Sequence, residues 1–339
     1  MSKSELGQFY TTNYKYILSN IDIPDKVDSI IEPFNGKGDL LSFINKDDYK
    51  LELYDIDPKY EGTVKRDTLK NPPDYSNKFI LTNPPYLARN KSKDKEIYDK
   101  YNCNDLYKCF IASILDSVCQ GGIIIVPVNF ISSIRKSDVE LRKRFLQVYS
   151  INIVNIFEEK VFDDTSYAVC SIYFMKRVGV NKPFKVYIYP SKKEMNISLT
   201  SKNNYSIGGE VYKLPQDKKY KVQRATRQTT ENITNILLKC IDDSIDSTLG
   251  FRVVADEDRY IDNTAKLSAR SYATLVINKS LTIDEQDILV EKMNNYIEEK
   301  REEYNSLFLT NYRESNTIAR KRISFDLAFK ICNYALSSL

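Results

Sequence analysis

The 339-residue sequence contains no histidine. Without an imidazole the chain cannot form Ser/His/Asp triads, Cys/His nucleophile pairs or metal sites that need histidine ligands. Its six cysteines stand at scattered positions without a CxxC pair, which predicts neither a disulfide framework nor a zinc site. No metal is therefore expected, and any chemistry near neutral pH must use other groups.

Long apolar runs are also missing. No stretch reaches the ~18 residues that a membrane span requires, and the N-terminal MSKSELGQFY lacks the apolar core of a signal peptide. A soluble, globular, cytoplasmic protein without a membrane partner is expected. At 339 residues and 42% hydrophobic content, the length suggests two domains.

Positive charge is concentrated in one region. The net charge is +4, yet residues 1–178 carry equal numbers of basic and acidic side chains, so the excess lies in the second half. Residues 182–227 are strongly basic and contain five tyrosines, a composition that suits contact with a phosphate backbone. Arg224 and Arg227 at its end are candidate nucleic-acid contacts. A solvated, lysine-rich surface is the alternative.

Short apolar runs alternate with helical patterns in the first half of the chain. This alternation predicts an α/β fold with a doubly wound, mostly parallel sheet, whose ligands bind beyond the carboxyl ends of the strands. The clearest helical pattern covers residues 105–119. Strands are predicted at 27–31, 51–56, 78–82, 122–128, 151–157 and 168–175.

The first predicted strand ends in EPFNGKGDL, at residues 32–40. Gly36 and Gly38 permit a tight turn close to a ligand, but Leu41 stands where a dinucleotide fingerprint has its third glycine. The flanking carboxylates of Glu32 and Asp39 would repel a diphosphate and attract a ligand that bears an ammonium and a sulfonium. A plain strand-to-helix turn is the alternative.

Acidic residues follow the next elements. Asp55 and Asp57 come about 20 residues after the glycines, where this fold places an acid that accepts hydrogen bonds from a ribose. Asp67, in the sequence RDTL, could accept a hydrogen bond from the exocyclic amine of an adenine. A nucleoside-like ligand is implied, although each aspartate could instead cap a turn.

The sequence TNPPY ends the strand predicted at 78–82. The amide oxygen of Asn83 and the carbonyl of Pro84, which its own ring and that of Pro85 restrict, offer two fixed acceptors for one NH₂ group. Holding both hydrogens would free the nitrogen lone pair of an adenine amine for attack, without a side-chain base. Tyr86 would stack on a base extruded from a duplex. A rigid turn is the alternative.

In their order, these motifs resemble gamma-class N6-adenine DNA methyltransferases of restriction-modification systems. The resemblance covers residues 6 to about 177 and implies a seven-stranded Rossmann-like sheet that binds S-adenosylmethionine. It implies a catalytic domain at 1–178 and a smaller C-terminal α+β DNA-recognition domain at 179–339. By resemblance, Phe162 supports the target base, with Tyr167 as the rival. The cofactor residues implied are Tyr10, Thr11, Glu32, Gly36, Gly38, Asp55 and Asp67.

The resemblance implies methyl transfer to N6 of an adenine flipped out of a specific site in double-stranded DNA. Methylation of RNA adenine or of a protein glutamine stays open, because a glutamine amide also presents an NH₂ group. A DNA-binding subunit without catalysis is the alternative of a different class. With only five residues before the first motif, a cognate restriction endonuclease would be a separate chain.

Two further stretches have two interpretations each. Residues 87–100 are charged and aperiodic, which suits either a mobile loop that contacts phosphates through Arg89, Lys91 and Lys93 or a disordered connector. Residues 284–308 predict an amphipathic helix, for which core packing is favoured over a dimer seam or a strut. A monomer or a weak dimer is expected.

Overall fold

The computed structural model describes residues 11–162, 168–242, 248–262, 271–314 and 319–339, and side chains are not described for 311–314 and 319. The chain forms two compact units that divide between Leu199 and Thr200. The predicted boundary after residue 178 differs from this division by one hairpin, whose strands pair into the sheet of the first unit.

The first unit contains a nine-stranded sheet. Its strands are β1 (Ser29–Glu32), β2 (Lys50–Asp55), β3 (Val64–Lys65), β4 (Phe79–Thr82), β5 (Gly121–Pro127), β6 (Tyr149–Phe157), β7 (Val169–Lys176), β8 (Phe184–Tyr189) and β9 (Lys193–Ile197). They lie in the order β3-β2-β1-β4-β5-β7-β6-β8-β9. The first five strands of this order (β3, β2, β1, β4 and β5) are parallel to one another. Strand β7 runs antiparallel to both of its neighbours, β5 and β6.

The predicted α/β class and the mostly parallel sheet are confirmed. All four residues of β4 and all seven of β5 are buried, as expected for central strands of a sheet that is covered on both faces. The sheet has nine strands instead of the seven that the resemblance implies, because β8 and β9 extend it beyond β6.

Five helices accompany this sheet in the described ranges. They are α1 (Tyr14–Ile17), α2 (Glu96–Tyr101), α3 (Leu106–Asp116), α4 (Asn129–Ser132) and α5 (Lys136–Val148). The helix predicted at 105–119 corresponds to α3, which buries eight of its eleven residues. Short 3-10 turns cover Asp39–Phe43 and Lys46–Asp48.

The second unit has its own antiparallel sheet, with the order β10-β13-β11-β12. The strands are β10 (Val222–Arg224), β11 (Ile233–Lys239), β12 (Gly250–Val253) and β13 (Tyr272–Ile277), and a separate ribbon pairs β14 (Thr310–Glu314) with β15 (Ala319–Arg322). Three 3-10 turns lie at Ser201–Asn203, Gly209–Lys213 and Asp256–Asp258.

Two helices, α6 (Ile283–Tyr304) and α7 (Phe325–Leu336), complete this unit. A capping box starts α6: the Glu285 backbone N–H donates to Thr282 Oγ1 at 3.2 Å, and Glu285 Oε2 accepts from the Thr282 N–H at 2.8 Å. Leu289, Met293 and Ile297 are buried at a spacing of four residues, so core packing accounts for the apolar face predicted for this helix.

None of the helices in the described ranges combines the length and the apolarity needed to cross a membrane.

Candidate active site

A cleft of about 310 Å³ opens beyond the carboxyl ends of β1, β2 and β4. Parallel neighbours bring the residues that follow them to one edge of a sheet. The cleft therefore collects residues from distant parts of the chain, including Thr11 and Asn83, which are 72 positions apart. Those that the sequence marked are Thr11, Glu32, Gly36, Asp39, Asp55, Asp67, Asn83 and Pro85.

The loop after β1 is held by Asp55, the last residue of β2. The Gly36 backbone N–H donates to Asp55 Oδ2 at 2.8 Å, and the Asp57 N–H donates to Oδ1 at 2.8 Å. Asp55 is only 2% exposed. Because each carboxylate oxygen can accept more than one hydrogen bond, Asp55 can hold this loop and still accept from a ligand hydroxyl.

Gly38 supports the same loop through its backbone conformation. Its φ of +77° lies in the left-handed region, and a Cβ atom built there would lie 2.5 Å from Cδ2 of Tyr60. Gly38 is buried and does not line the cleft, whereas Gly36 does. A side chain at position 38 would thus collide with Tyr60 and displace the loop without itself entering the cleft.

Glu32 is a buried carboxyl group at the end of β1, with 1% exposure. Its Oε1 accepts from the Phe34 backbone N–H at 3.0 Å and from the hydroxyl of Thr82, the last residue of β4. Burial raises the pKa of Glu32 to about 8, since removal from water disfavours the charged form. The carboxyl group is therefore mostly protonated at pH 7, and a cation in the cleft would favour its ionisation.

This protonation state predicts how stability changes with pH. In the unfolded chain Glu32 ionises near pH 4.5, whereas in the folded chain it keeps its proton up to about pH 8. The stabilising contribution is complete below pH 4.5 and is lost as pH rises to 8, at about 1.4 kcal/mol per pH unit. We expect Glu32→Gln, which imitates the protonated group, to flatten the fall in unfolding free energy measured by urea titration between pH 5 and 8.

Glu61→Gln is the matched control, because Glu61 is an exposed glutamate of the same unit outside the cleft. The control should follow the pH dependence of the parent chain. Identical slopes for Glu32→Gln and the parent would contradict a proton on Glu32.

Asp67 lies on the β2 side of the cleft. Its Oδ1 accepts from the backbone N–H groups of Leu69 at 3.1 Å and Lys70 at 3.0 Å. Among the described residues, no hydrogen bond uses Oδ2. Asp67 thus caps a turn, as one of the two interpretations predicted, and keeps an acceptor for a ligand.

The carboxamide of Asn83 has a protein partner at both ends. Its Nδ2 donates to Thr11 Oγ1 at 3.1 Å, and its Oδ1 accepts from the Tyr86 hydroxyl. Thr11 is 3% exposed. These bonds fix the plane of the amide at the floor of the cleft, which is the property that a positioned acceptor needs. Pro84 is buried, and the half-buried Pro85 lines the cleft.

Tyr86 lies inside the protein, with 3% exposure, and does not line the cleft. Its hydroxyl hydrogen is shared between Asn83 Oδ1 and the Ile125 carbonyl of β5, which lies at 2.8 Å. Burial raises the pKa of Tyr86 well above 10, so the hydroxyl remains a donor at neutral pH. Stacking on a target base would require the ring to leave this position.

The other residues predicted for stacking or for the cofactor are less informative. Phe162 is 4% exposed and also buried within the protein. Tyr10 and Tyr167 lie outside the described residues.

Residues 87–101 form a wall of the cleft. The segment ends in helix α2, and Tyr98, which is 2% exposed, donates its hydroxyl hydrogen to the Leu87 carbonyl at 2.9 Å. Its charges are partly paired, since Arg89 Nη2 lies 2.6 Å from Asp99 Oδ1. The segment is therefore not a structureless connector. Lys91 and Lys93 are exposed, as phosphate contact requires.

The cleft also has an apolar lining, which the motifs of the sequence do not predict. Ile56, directly after Asp55, is 36% exposed and faces the cleft together with the side chains of Leu69 and Leu106. Such a surface suits the flat face of an aromatic ring. The signal available in the sequence was an isoleucine between two aspartates, in YDIDP.

The two arginines predicted to contact nucleic acid lie in the second unit. Arg224 Nη1 is 2.7 Å from Oδ2 of the buried Asp262, and its guanidinium lies 5.5 Å from the centroid of the Phe325 ring. Its charge is thus compensated within the unit, which favours a structural role. Arg227 is exposed.

Several solved structures are similar to this chain. The M protein of the type I restriction enzyme EcoKI shares 13% identity, with 53% of this chain and 48% of that chain covered and a TM-score of 0.39. The methyltransferase subunit of a Streptococcus thermophilus type I restriction-modification system shares 14%, with coverages of 57% and 51% and a TM-score of 0.36. A chain of a DrdV–DNA complex shares 14% sequence identity, with 71% of this chain and 36% of that chain covered and a TM-score of 0.44.

This chain thus spans about half the length of the type I subunits that it matches. No curated protein sequence matches it. One protein family does: residues 13–162 match the Eco57I restriction-modification methylase family. This segment contains β1 to β6 and almost every cleft residue. The resemblance of the motifs to restriction-modification methyltransferases is therefore confirmed, over residues 13–162, by the match to the Eco57I restriction-modification methylase family.

Proposed function

We propose that this protein transfers a methyl group from S-adenosylmethionine to N6 of an adenine that is flipped out of a specific site in double-stranded DNA. The observation that carries the proposal is the position of Asn83. Its fixed carboxamide lies in the same cleft as the acidic ends of β1 and β2, so a donor and an acceptor molecule could meet there.

The residues of the cleft fit S-adenosylmethionine. Glu32 would ionise against the positive charge of the donor, which supplies an electrophilic methyl group when bound. Asp55 would accept from the ribose hydroxyls, and Asp67 Oδ2 would accept from the adenine amine. Ile56 would contact the face of the purine.

Asn83 and Pro84 would orient the target amine. With both hydrogens of the NH₂ group bound to their oxygens, the nitrogen lone pair would be less delocalised into the purine ring and could point at the methyl carbon. As the new C–N bond formed, the bond between the methyl carbon and the donor's sulfur would break, the sulfur would keep the electron pair as a neutral thioether, and the nitrogen would release one hydrogen as a proton to water. This arrangement acts by positioning and electrostatics and fits a chain without histidine.

The Asp67 assignment predicts a selective loss of donor affinity. Asp67→Asn keeps an oxygen for the turn at Leu69 and Lys70 but replaces the charged acceptor. We expect the Kd for S-adenosylmethionine, measured by calorimetry, to rise about 10- to 150-fold, because hydrogen bonds to charged groups contribute about 1.5–3 kcal/mol. The rate at saturating donor should change little.

Asp74→Asn is a closely matched control. Asp74 Oδ1 also caps a turn, since it accepts from the Ser76 N–H at 2.9 Å, but it lies outside the cleft. The control should bind the donor as the parent does. Equal donor affinity in both variants would contradict the role given to Asp67.

The modified molecule can be identified by competition. Parent protein would be incubated with radiolabelled donor and equal amounts of plasmid DNA, RNA and protein, and the labelled product would be hydrolysed and analysed by mass spectrometry. We expect N6-methyladenine in duplex DNA. Label in RNA or in glutamine would favour the corresponding alternative, and absence of both donor binding and transfer would favour a DNA-binding subunit.

The basic second half would supply affinity for the DNA backbone inside the cell. In a restriction-modification system the methylated site would be protected from a cognate endonuclease. Extrusion of the adenine follows from the proposed chemistry, because a paired base cannot reach the Asn83 carboxamide.

A further inference from the structure

A second cleft lies in the C-terminal unit and has a different character. It measures about 470 Å³ and lies beside the edge strand β10 and the loop between β10 and β11. Ten of its eleven lining residues are polar, and only Val276 is apolar. We call it the amide groove, after three exposed lining residues: Gln223, Gln228 and Asn232.

These three carboxamides are available to a ligand. Their side chains make no hydrogen bond to any residue in the described ranges. This differs from other amides of the same unit. Gln216 donates to three backbone carbonyls, and Asn333 donates to the carbonyls of Asp217 and Tyr220.

Gln223 lies in β10, and the loop that carries Gln228 and Asn232 is fixed by hydrogen bonds of its own backbone. The Arg227 backbone N–H donates to the Asp262 carbonyl at 3.1 Å, and the Asp262 N–H donates to the Ala225 carbonyl at 3.2 Å. Thr226 and Thr229 close a turn, in which the Thr226 N–H donates to Thr229 Oγ1 at 3.0 Å. A loop already fixed in this way loses little conformational freedom when its side chains bind a ligand.

Arg224 contributes to this support. Its ion pair with Asp262 joins β10 to the residue that holds the loop. Positive charge remains at the groove's margin on Lys221 and Arg227, both exposed, against the single acid Glu231. The groove thus combines three carboxamides that have no hydrogen-bond partner in the described part of the chain with basic side chains at its margin.

That combination matches the edge of a DNA base pair. A carboxamide presents one donor and one acceptor side by side, which pairs with N7 and N6 of adenine in the major groove. Lysine and arginine at the margin suit the adjacent phosphates. We infer that the amide groove reads base edges of double-stranded DNA and that Gln223, Gln228 and Asn232 are specificity-determining residues. This inference rests on the proposed function.

The test measures sequence preference in binding and does not require catalysis. Parent protein and a Gln223→Ala/Gln228→Ala variant would be used to select duplexes from a random library, and single-mismatch discrimination would be measured for the selected site. We expect discrimination at one or more positions to fall about 5- to 150-fold in the variant, the loss typical of one bidentate base contact.

Two further variants of the chain test whether a change in sequence preference is specific to the groove. Asn232→Asp keeps a residue that tolerates the observed φ of +58° but removes two donors, and it should also change the preferred base at one position. Gln216→Ala removes a surface glutamine outside the groove and should leave the selected sequence unchanged.

The inference is wrong if the double variant and Asn232→Asp select the same site with the same discrimination as the parent. It is also wrong if the parent selects no preferred duplex, or prefers single-stranded RNA added as competitor. If the parent protein selected a preferred duplex but transferred no methyl group to it, that result would contradict the proposed function and leave the inference about the amide groove standing.

Discussion

Asn83→Ala is expected to lower the rate of methyl transfer to DNA by about 10²–10³-fold, the usual cost of removing one positioned electrostatic contact from a reacting group. The carboxamide is fixed by Thr11 and Tyr86, so its contribution does not depend on ordering during the reaction. Donor affinity should stay within a few-fold, because the acidic ends of β1 and β2 are unchanged. Single-turnover transfer of radiolabel and calorimetry would measure the two quantities.

Asn45→Ala provides the control for this experiment. Asn45 is an exposed asparagine of the same unit that makes no side-chain capping hydrogen bond and does not line the cleft. It should match the parent in both measurements. Equal transfer rates for Asn83→Ala and the parent would remove the basis of the proposed mechanism.

Tyr86→Phe is expected to lower kcat by about 10- to 100-fold while the KM for the donor changes little. The variant keeps the aromatic ring but loses the hydroxyl that holds Asn83 Oδ1, so the carboxamide can rotate away from its productive orientation. It also leaves the Ile125 carbonyl without this partner, which should lower the unfolding free energy by about 1–3 kcal/mol.

Tyr149→Phe separates orientation from stability. The buried Tyr149 hydroxyl donates to the Ile114 carbonyl at 2.8 Å and accepts from the Cys119 N–H at 3.1 Å, outside the cleft. This variant should lose a similar amount of stability without a change in kcat. If Tyr86→Phe kept the parent kcat and only Tyr86→Leu lost activity, ring stacking rather than orientation would be the role of Tyr86.

The sequence was informative about the sheet and about the residues that follow its strands. Buried central strands are continuous apolar runs, so β4 and β5 were readable from FILT and GGIIIVP. The topology of a parallel sheet then brings Glu32, Asp55 and Asn83 to one edge, whatever their separation in the chain. Motif position alone could therefore predict a shared cleft.

Contacts between distant side chains were not readable in the same way. Tyr86 bonds a carbonyl 39 residues away, and Asn83 bonds a threonine 72 residues away. No periodicity marks such pairs, because they depend on how neighbouring strands align. The stacking role predicted for Tyr86 considered its ring alone and did not anticipate the two acceptors of its hydroxyl.

The start of the basic segment forms a half-buried strand as well as a charged surface. Within residues 182–227, Phe184, Val186 and Ile188 are buried in alternation with more exposed neighbours, the period of a half-buried strand. Tyr189 stacks on Phe157 with ring centroids 5.5 Å apart. The lysine content of this stretch predicts a charged surface, whereas its alternation predicts the strand β8.

The hairpin of β8 and β9 has a consequence for the solubility of the first unit. Without it, β6 would be an edge strand whose apolar sequence INIVNIF offers unpaired backbone groups to other molecules, a common route to aggregation. With it, the outermost strand is β9, which is short and carries Lys193 and Glu194. A fragment that ends at residue 178 would lose this protection, so the hairpin must accompany the first unit into any fusion protein.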